Sequence, residues 1–227
     1  MSQINNPSLV RALIRKDWYF NKNTFLLFFV AGMVSVFLLS FESRAFYIGM
    51  VLLLSILILI GALLVTTTVV NERKNQTLAF LISLPITYMD YTKAKMIFNL
   101  SVYFITWIVF VISAIGVIYY TEHLPNGLIP YALIIMIELM VAFIVILATA
   151  LVTESEKWTI VVMTITNIGV SLFMFLIASI NSINQHMEGP EAEWNSTVLL
   201  IIGIEILVGL LFIGLTFTLQ SRKKDFT

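Results

Sequence analysis

Six runs of apolar residues, each near membrane length, alternate with short polar stretches along this 227-residue chain. They cover roughly 24–41, 45–70, 96–120, 131–152, 159–180 and 197–219. A helix needs about 20 mostly apolar residues to cross a hydrocarbon core of about 30 Å. The first run is the shortest. The second would reach about 39 Å at 1.5 Å per residue, so it must tilt or protrude. None of the runs shows the period-two polarity of barrel strands. The pattern therefore predicts an all-α integral membrane protein: six transmembrane helices in one domain over 1–227.

The polar stretches between the runs differ in charge. Arg11, Arg15, Lys16 and Lys22 precede the first run, and Arg73, Lys74, Lys93 and Lys95 lie between the second and third. Lys157 follows the fourth, and Arg222, Lys223 and Lys224 follow the sixth. The alternate connections hold only Arg44, while "NSINQHMEGPEAEWNS" (181–196) carries Glu188, Glu191 and Glu193. By the positive-inside bias, both termini and the 71–95 segment are expected in the cytoplasm of a multi-pass cell-membrane protein.

Composition agrees with lipid as the main solvent: 59% of residues are hydrophobic and 11% charged. The 13 basic and 13 acidic residues balance, so charge points to no nucleic-acid partner. There is no cysteine, which removes disulfides, thiol catalysis and thiolate metal sites. No G-x-x-x-x-G-K-[ST] loop occurs, so nothing in the chain predicts a phosphate cradle of that type. His123 and His186 both fall in expected outer connections, with no HExxH and no Ser–His pair within a run. The chain is expected to be a non-enzyme holding no cofactor or metal.

Two segments next to the runs have their own pattern. "SLVRALIRKDWYFNKN" (8–23) sets Leu9, Val10, Leu13, Ile14 and Trp18 along one helical stripe, with Arg15 and Lys16 mostly off it. Such a helix would rest in the cytoplasmic interface, either as a simple anchor or packed against the core or a partner. The other segment is "NERKNQTLAFLISLPITYMDYTKAK" (71–95). Leu78, Leu81 and Ile82 share a helical face, and Pro85 ends that helix by removing a donor. Thr87 or Asp90 can cap the helix that follows. The apolar patch marks an interaction surface, or it dips into lipid.

A charged "NERKNQT" leaving the second run, then "LAFLISLPIT" and "KAK" leading into the third, resembles the signature of type-2 ATP-binding-cassette exporter permeases. "LIRKDW" before the first run resembles that family's elbow helix, and the six-span layout also fits. The resemblance covers essentially the whole chain. The chain looks most like bacterial members that export amphipathic peptides or protect against antimicrobial peptides, phenol-soluble-modulin exporters among them. The resemblance implies that 76–84 is a coupling helix seated in a groove of a separate ATPase, which binds ATP and magnesium. Glu72 and Arg73 would fix the approach by ion pairs, and Leu78, Leu81 and Ile82 would fill an apolar slot. Gln76, Thr77, Ser83 and Pro85 complete the coupling site. Residues 8–23, with Leu9, Leu13, Arg15, Lys16 and Trp18, would be the elbow helix. Two ATPase copies and a second, identical or related, permease would complete the assembly. The family also has short re-entrant helices before the sixth span, which here would have to borrow from 171–180.

Two carboxylates interrupt the runs, Glu138 in the fourth and Glu205 in the sixth. They fall at matched depths, roughly 11–12 Å from the outer ends of their runs. A charge at mid-membrane costs perhaps 2.5–3.5 kcal/mol, so both should face protein or a water-filled path. They would either line a translocation path or make protonated, hydrogen-bonded contacts between helices. The functional expectation is an exporter permease for hydrophobic or amphipathic substrates. The rival is an ATP-independent carrier, or a sensor or assembly protein whose cytoplasmic loop binds a regulator.

Overall fold

A computed structural model describes residues 7–42, 44–74 and 87–223. All regular structure among them is helical. Helix α1 is Pro7–Leu38 and α2 is Arg44–Val65; a π-helical stretch Thr66–Val70 and the short α3 (Asn71–Lys74) continue α2. Then follow α4 (Tyr88–Tyr120), α5 (Leu128–Thr153), α6 (Glu156–Ala178), α7 (Asn181–Met187) and α8 (Ser196–Ser221). Six helical stretches are long and apolar enough to cross a membrane, with α2 and its continuation counted as one. The expected six-helix membrane fold is the observed one.

Local chemistry explains most boundaries. Pro7 opens α1, where its missing N–H removes no helical bond. Thr87 caps α4: its hydroxyl oxygen accepts from the Asp90 amide at 3.1 Å. Asn195 caps α8 through its carbonyl oxygen, which accepts from the Val198 amide at 3.0 Å. The π stretch coincides with the sequence Thr-Thr-Thr-Val-Val. There the Thr67 and Thr68 hydroxyls donate to the carbonyls of Leu63 and Leu64, at 2.8 and 2.7 Å. Side-chain bonds of that kind compete with the helical ladder, and the Asn71 amide accordingly reaches back five residues to Thr66.

Two expectations change. Residues 8–23 are not a separate elbow element, because α1 runs unbroken into the first span with no glycine or proline between Ser8 and Ala31. The buried face of this stretch carries a charge. Leu13 is buried, but the next inward position belongs to Asp17, while Trp18 is half exposed. The fifth span ends at Ala178 without lending residues to a re-entrant turn, and the seven-residue α7 is a separate piece beyond it.

Helix α5 is the centre, packed by α2, α4, α6 and α8, while α1 lies against α2 and α4. Tyr103 of α4 and Phe143 of α5 stack at 4.0 Å between ring centroids. Tyr103 and Trp107 donate to main-chain carbonyls of α5, at Leu139 and Met136. Phe29 of α1 stacks on the buried Phe110 of α4 at 5.7 Å, and Gly32 allows it, since a Cβ there would overlap the Phe110 ring. By contrast α6 and α8 keep most of their apolar surface outside the bundle, available to lipid or another chain. The bundle has a basic end, where α3 meets the first turns of α1 and α4, and an acidic end carrying Glu122 and Glu188.

Candidate functional site

The densest polar cluster sits at the basic end, at the foot of the 75–86 stretch. Glu72, the second residue of α3, is only 7% exposed. One of its oxygens accepts from Lys95 of α4 at 2.8 Å and from Lys16 of α1. The other accepts from the Tyr91 hydroxyl at 3.1 Å. Lys95 is fully buried and also bonds Asp17 at 2.8 Å, while Lys16 lies 3.4 Å from the second Asp17 oxygen. The Lys95 ammonium stands 5.4 Å over the Tyr91 ring.

Two carboxylates and two ammoniums thus neutralise one another in a space nearly closed to water. Moving such charges out of water costs several kcal/mol each, so the group survives only as a complete, hydrogen-bonded set. The polar chain extends inward. The Asn99 side-chain amide donates to the Lys95 carbonyl at 2.8 Å and to the Thr68 hydroxyl at 3.0 Å, joining α4 to the π stretch.

The next two residues of the foot reach other helices. Arg73 donates to the Ala150 carbonyl at 2.7 Å and to Leu151 at 3.5 Å, at the C-terminal turn of α5. A cation there meets the negative end of the helix dipole. Lys74 pairs with Glu156 of α6 at 3.2 Å. Gln220 of α8 also donates to Leu151, while Lys223 donates to Val152 at 2.9 Å and to Glu154 at 2.6 Å. Arg73, Lys74, Glu154 and Glu156 line a polar cavity of about 230 Å³ between these elements.

The residues expected to form the coupling site divide. Gln76, Thr77, Leu78, Leu81, Ile82, Ser83 and Pro85 lie outside the described residues. Glu72 and Arg73 are described, and both bond within the chain rather than standing ready on the surface. Lys16 joins the cluster, Leu13 is buried beside it, Leu9 is half-buried, and Arg15 and Trp18 face outward. The sequence reading missed Asp17, Tyr91, Lys95, Asn99 and Thr68. A signal existed: Asp17 follows Leu13 by four residues, which places a charge on an otherwise apolar stripe.

Glu138 of α5 is half-buried and Glu205 of α8 is buried. Glu205 of α8 is 5% exposed, lies within electrostatic range of Glu138 on α5, and has neither oxygen hydrogen-bonded among the described residues. One turn on, Gly209 brings α8 close to Val141 and Ile144 of α5. No group of three or more His, Cys, Asp or Glu side chains suited to a metal occurs among the described residues.

Six spans define a polytopic helical membrane protein. Residues 12–222 match the family model of the ABC-2 family transporter proteins, and the chain belongs to that family as a membrane permease component. No curated protein and no solved structure matches it.

Proposed function

We propose that the chain is the permease subunit of an ATP-driven exporter, with hydrolysis carried out by a separate ATPase docked on the 75–86 stretch. One observation carries the reading: both feet of that stretch, α3 and the first turns of α4, are fastened to α1 by a closed set of buried charges. A segment held this firmly at both ends can deliver force to the bundle. The excess of Lys and Arg at this end supports a cytoplasmic side for it and for both termini in the plasma membrane, where ATP is available. Leu78, Leu81 and Ile82 would seat in an apolar slot of the ATPase, flanked by Gln76, Thr77, Ser83 and Pro85. Two permeases, identical or related, and two ATPase subunits would form the working assembly.

The cargo is hydrophobic or amphipathic, with peptides the favoured class, because the described spans offer apolar walls and few charges. Glu138 and Glu205 would meet its cationic groups in the outer half of the path. Glu205 has no hydrogen-bond partner among the described residues, which supports a lining role over a closed interhelical contact. Glu138→Gln and Glu205→Gln are expected to slow export at unchanged membrane levels; unchanged export assigns the pair to packing alone.

The test of the whole reading is co-purification. The wild-type chain, isolated with the cytoplasmic ATPase encoded beside it, is expected to retain that subunit and its ATP hydrolysis. Leu81→Asp, which puts a charge in the apolar contact, should weaken retention about tenfold or more. Stable isolation with no associated ATPase would favour an ATP-independent carrier or a regulator-binding sensor.

A further inference from the structure

Glu72, Arg73 and Lys74 are consecutive, yet their side chains bond to different helices. Glu72 bonds α1 and α4 through Lys16, Lys95 and Tyr91. Arg73 holds the last carbonyls of α5, and Lys74 pairs with the first turn of α6. Three adjacent residues of an ordinary helix point about 100° apart, so a single helical turn here fans out toward most of the bundle. The π stretch before it adds a residue to the preceding turn and so sets which way the fan faces.

We infer that Glu72, Arg73 and Lys74 form a hub that divides any displacement of the 75–86 stretch among three separate branches. The inference rests on the proposed coupling role of that stretch and adds how its movement is shared. The branches differ in strength. Glu72 belongs to a buried, mutually neutralised set whose members cannot part without leaving charge unpaired, so α1, α3 and the start of α4 must move together. Arg73 grips main-chain carbonyls, which follow the α5 backbone itself. Lys74 and Glu156 are both exposed, at 63% and 44%, and that link is screened by water and salt. Movement should therefore reach α1 and α4 most faithfully, α5 next and α6 least. Asp17 and Tyr91 act here as positioning residues: they touch neither cargo nor nucleotide but hold Glu72 and Lys95 in place.

Amide hydrogen exchange separates the branches. In the isolated wild-type chain in nanodiscs, Asp17→Asn should speed exchange about fivefold or more in 8–20, 71–74 and 88–95, leaving 148–156 within about twofold. Arg73→Gln should do the reverse, loosening 148–156 selectively. Tyr91→Phe, which removes one hydroxyl and keeps the ring, should reproduce the Asp17→Asn pattern at smaller amplitude. In the complex with the ATPase, a non-hydrolysable ATP analogue should alter exchange in both 8–20 and 88–95 of wild type. In Asp17→Asn the response in 8–20 should fall about threefold or more, while ATPase retention stays within about twofold.

Uniform loosening by either variant, or no change in either, overturns the hub. So does a nucleotide response confined to 88–95 in wild type. Failure of the wild-type chain to bind any ATPase sinks the proposed function instead, and the isolated-chain patterns still decide the hub. If Asp17→Asn does not accumulate in membranes, Tyr91→Phe and Arg73→Gln carry the same comparison.

Discussion

The two ends of the bundle solve the same problem in opposite ways. At the basic end, helix ends are joined by buried ion pairs and by side chains gripping main-chain carbonyls, with Lys95 wholly enclosed. At the acidic end the ion pairs among the described residues are exposed, as where His186 meets Glu193 at 3.0 Å with the Glu193 side chain 54% exposed. There the helix ends are joined by main-chain and amide bonds and by buried Ile134, Ile177, Ile183 and Val198. Beneath those links lies an apolar cavity of about 330 Å³, lined by Leu39, Met50, Leu53, Tyr131 and Ile135 among others. Both ends hold a cavity, but the one at the basic end is ringed by charged side chains and the other by apolar ones. Under the proposed coupling role, a push entering at the basic end would meet the interlocked helix ends first and the apolar cavity last.

The sharpest way to break that contrast is to remove Lys95. Lys95→Met leaves Asp17 and Glu72 buried with only the partly exposed Lys16 between them. Deleting one partner of a buried pair typically costs about 3–5 kcal/mol, and the midpoint of thermal unfolding in detergent should fall accordingly. Glu193→Gln, which removes an ion pair at the other end, should change stability by no more than about 0.5 kcal/mol. Equal effects would mean that the two ends are built alike.

Packing offers the second test. Ala94 of α4 is fully buried beside the charge cluster, whereas Ala132 of α5 borders the acidic-end cavity. Adding the same bulk to each should separate them. Ala94→Leu overfills a close-packed site and is expected to cost about 1–3 kcal/mol. Ala132→Leu has space to enter and should cost less than about 1 kcal/mol, or stabilise slightly, in the same unfolding measurement. A cost at Ala132 matching that at Ala94 would show that the cavity closes in the working protein.

The spans were legible because membrane length and apolar composition act locally, within each run. The same holds for Thr87, whose capping role depends on an amide three residues away. The cluster was hidden because its logic is not local. Asp17 and Lys95 lie 78 residues apart, and an apolar periodicity reads a lone charge as noise unless its partner is known. Pairing with Lys95 turns Asp17 inward and leaves Trp18 outside. Glu72 and Arg73 stood out in the sequence as charges beside an apolar patch. Their direction, into the bundle, needed the π stretch and the neighbouring helix ends. Continuity of α1 was available from the absence of glycine and proline, but the change from charged to apolar composition near residue 24 obscured it.

The smallest expected effect concerns Glu154, where two modest terms oppose each other. Glu154 ends α5 in the left-handed backbone region, at φ 55°, which a Cβ disfavours by about 1 kcal/mol. Glycine adopts that region freely, so Glu154→Gly recovers this term. It also deletes the 2.6 Å pair with Lys223 of the α8 tail, whose side chains are 25% and 31% exposed. Pairs with that much solvent contact contribute less than about 1 kcal/mol. The sum is a change within about 0.5 kcal/mol of zero, read from unfolding midpoints. Glu154→Ala is the informative companion, because it loses the pair and keeps the unfavourable backbone geometry, so it should be the less stable variant by about 1 kcal/mol. If Glu154→Gly instead loses 2 kcal/mol or more, the Lys223 pair is as strong as the buried set around Lys95. The interlocked end would then extend to α8, and movement of the 75–86 stretch would have a route to the last span as well.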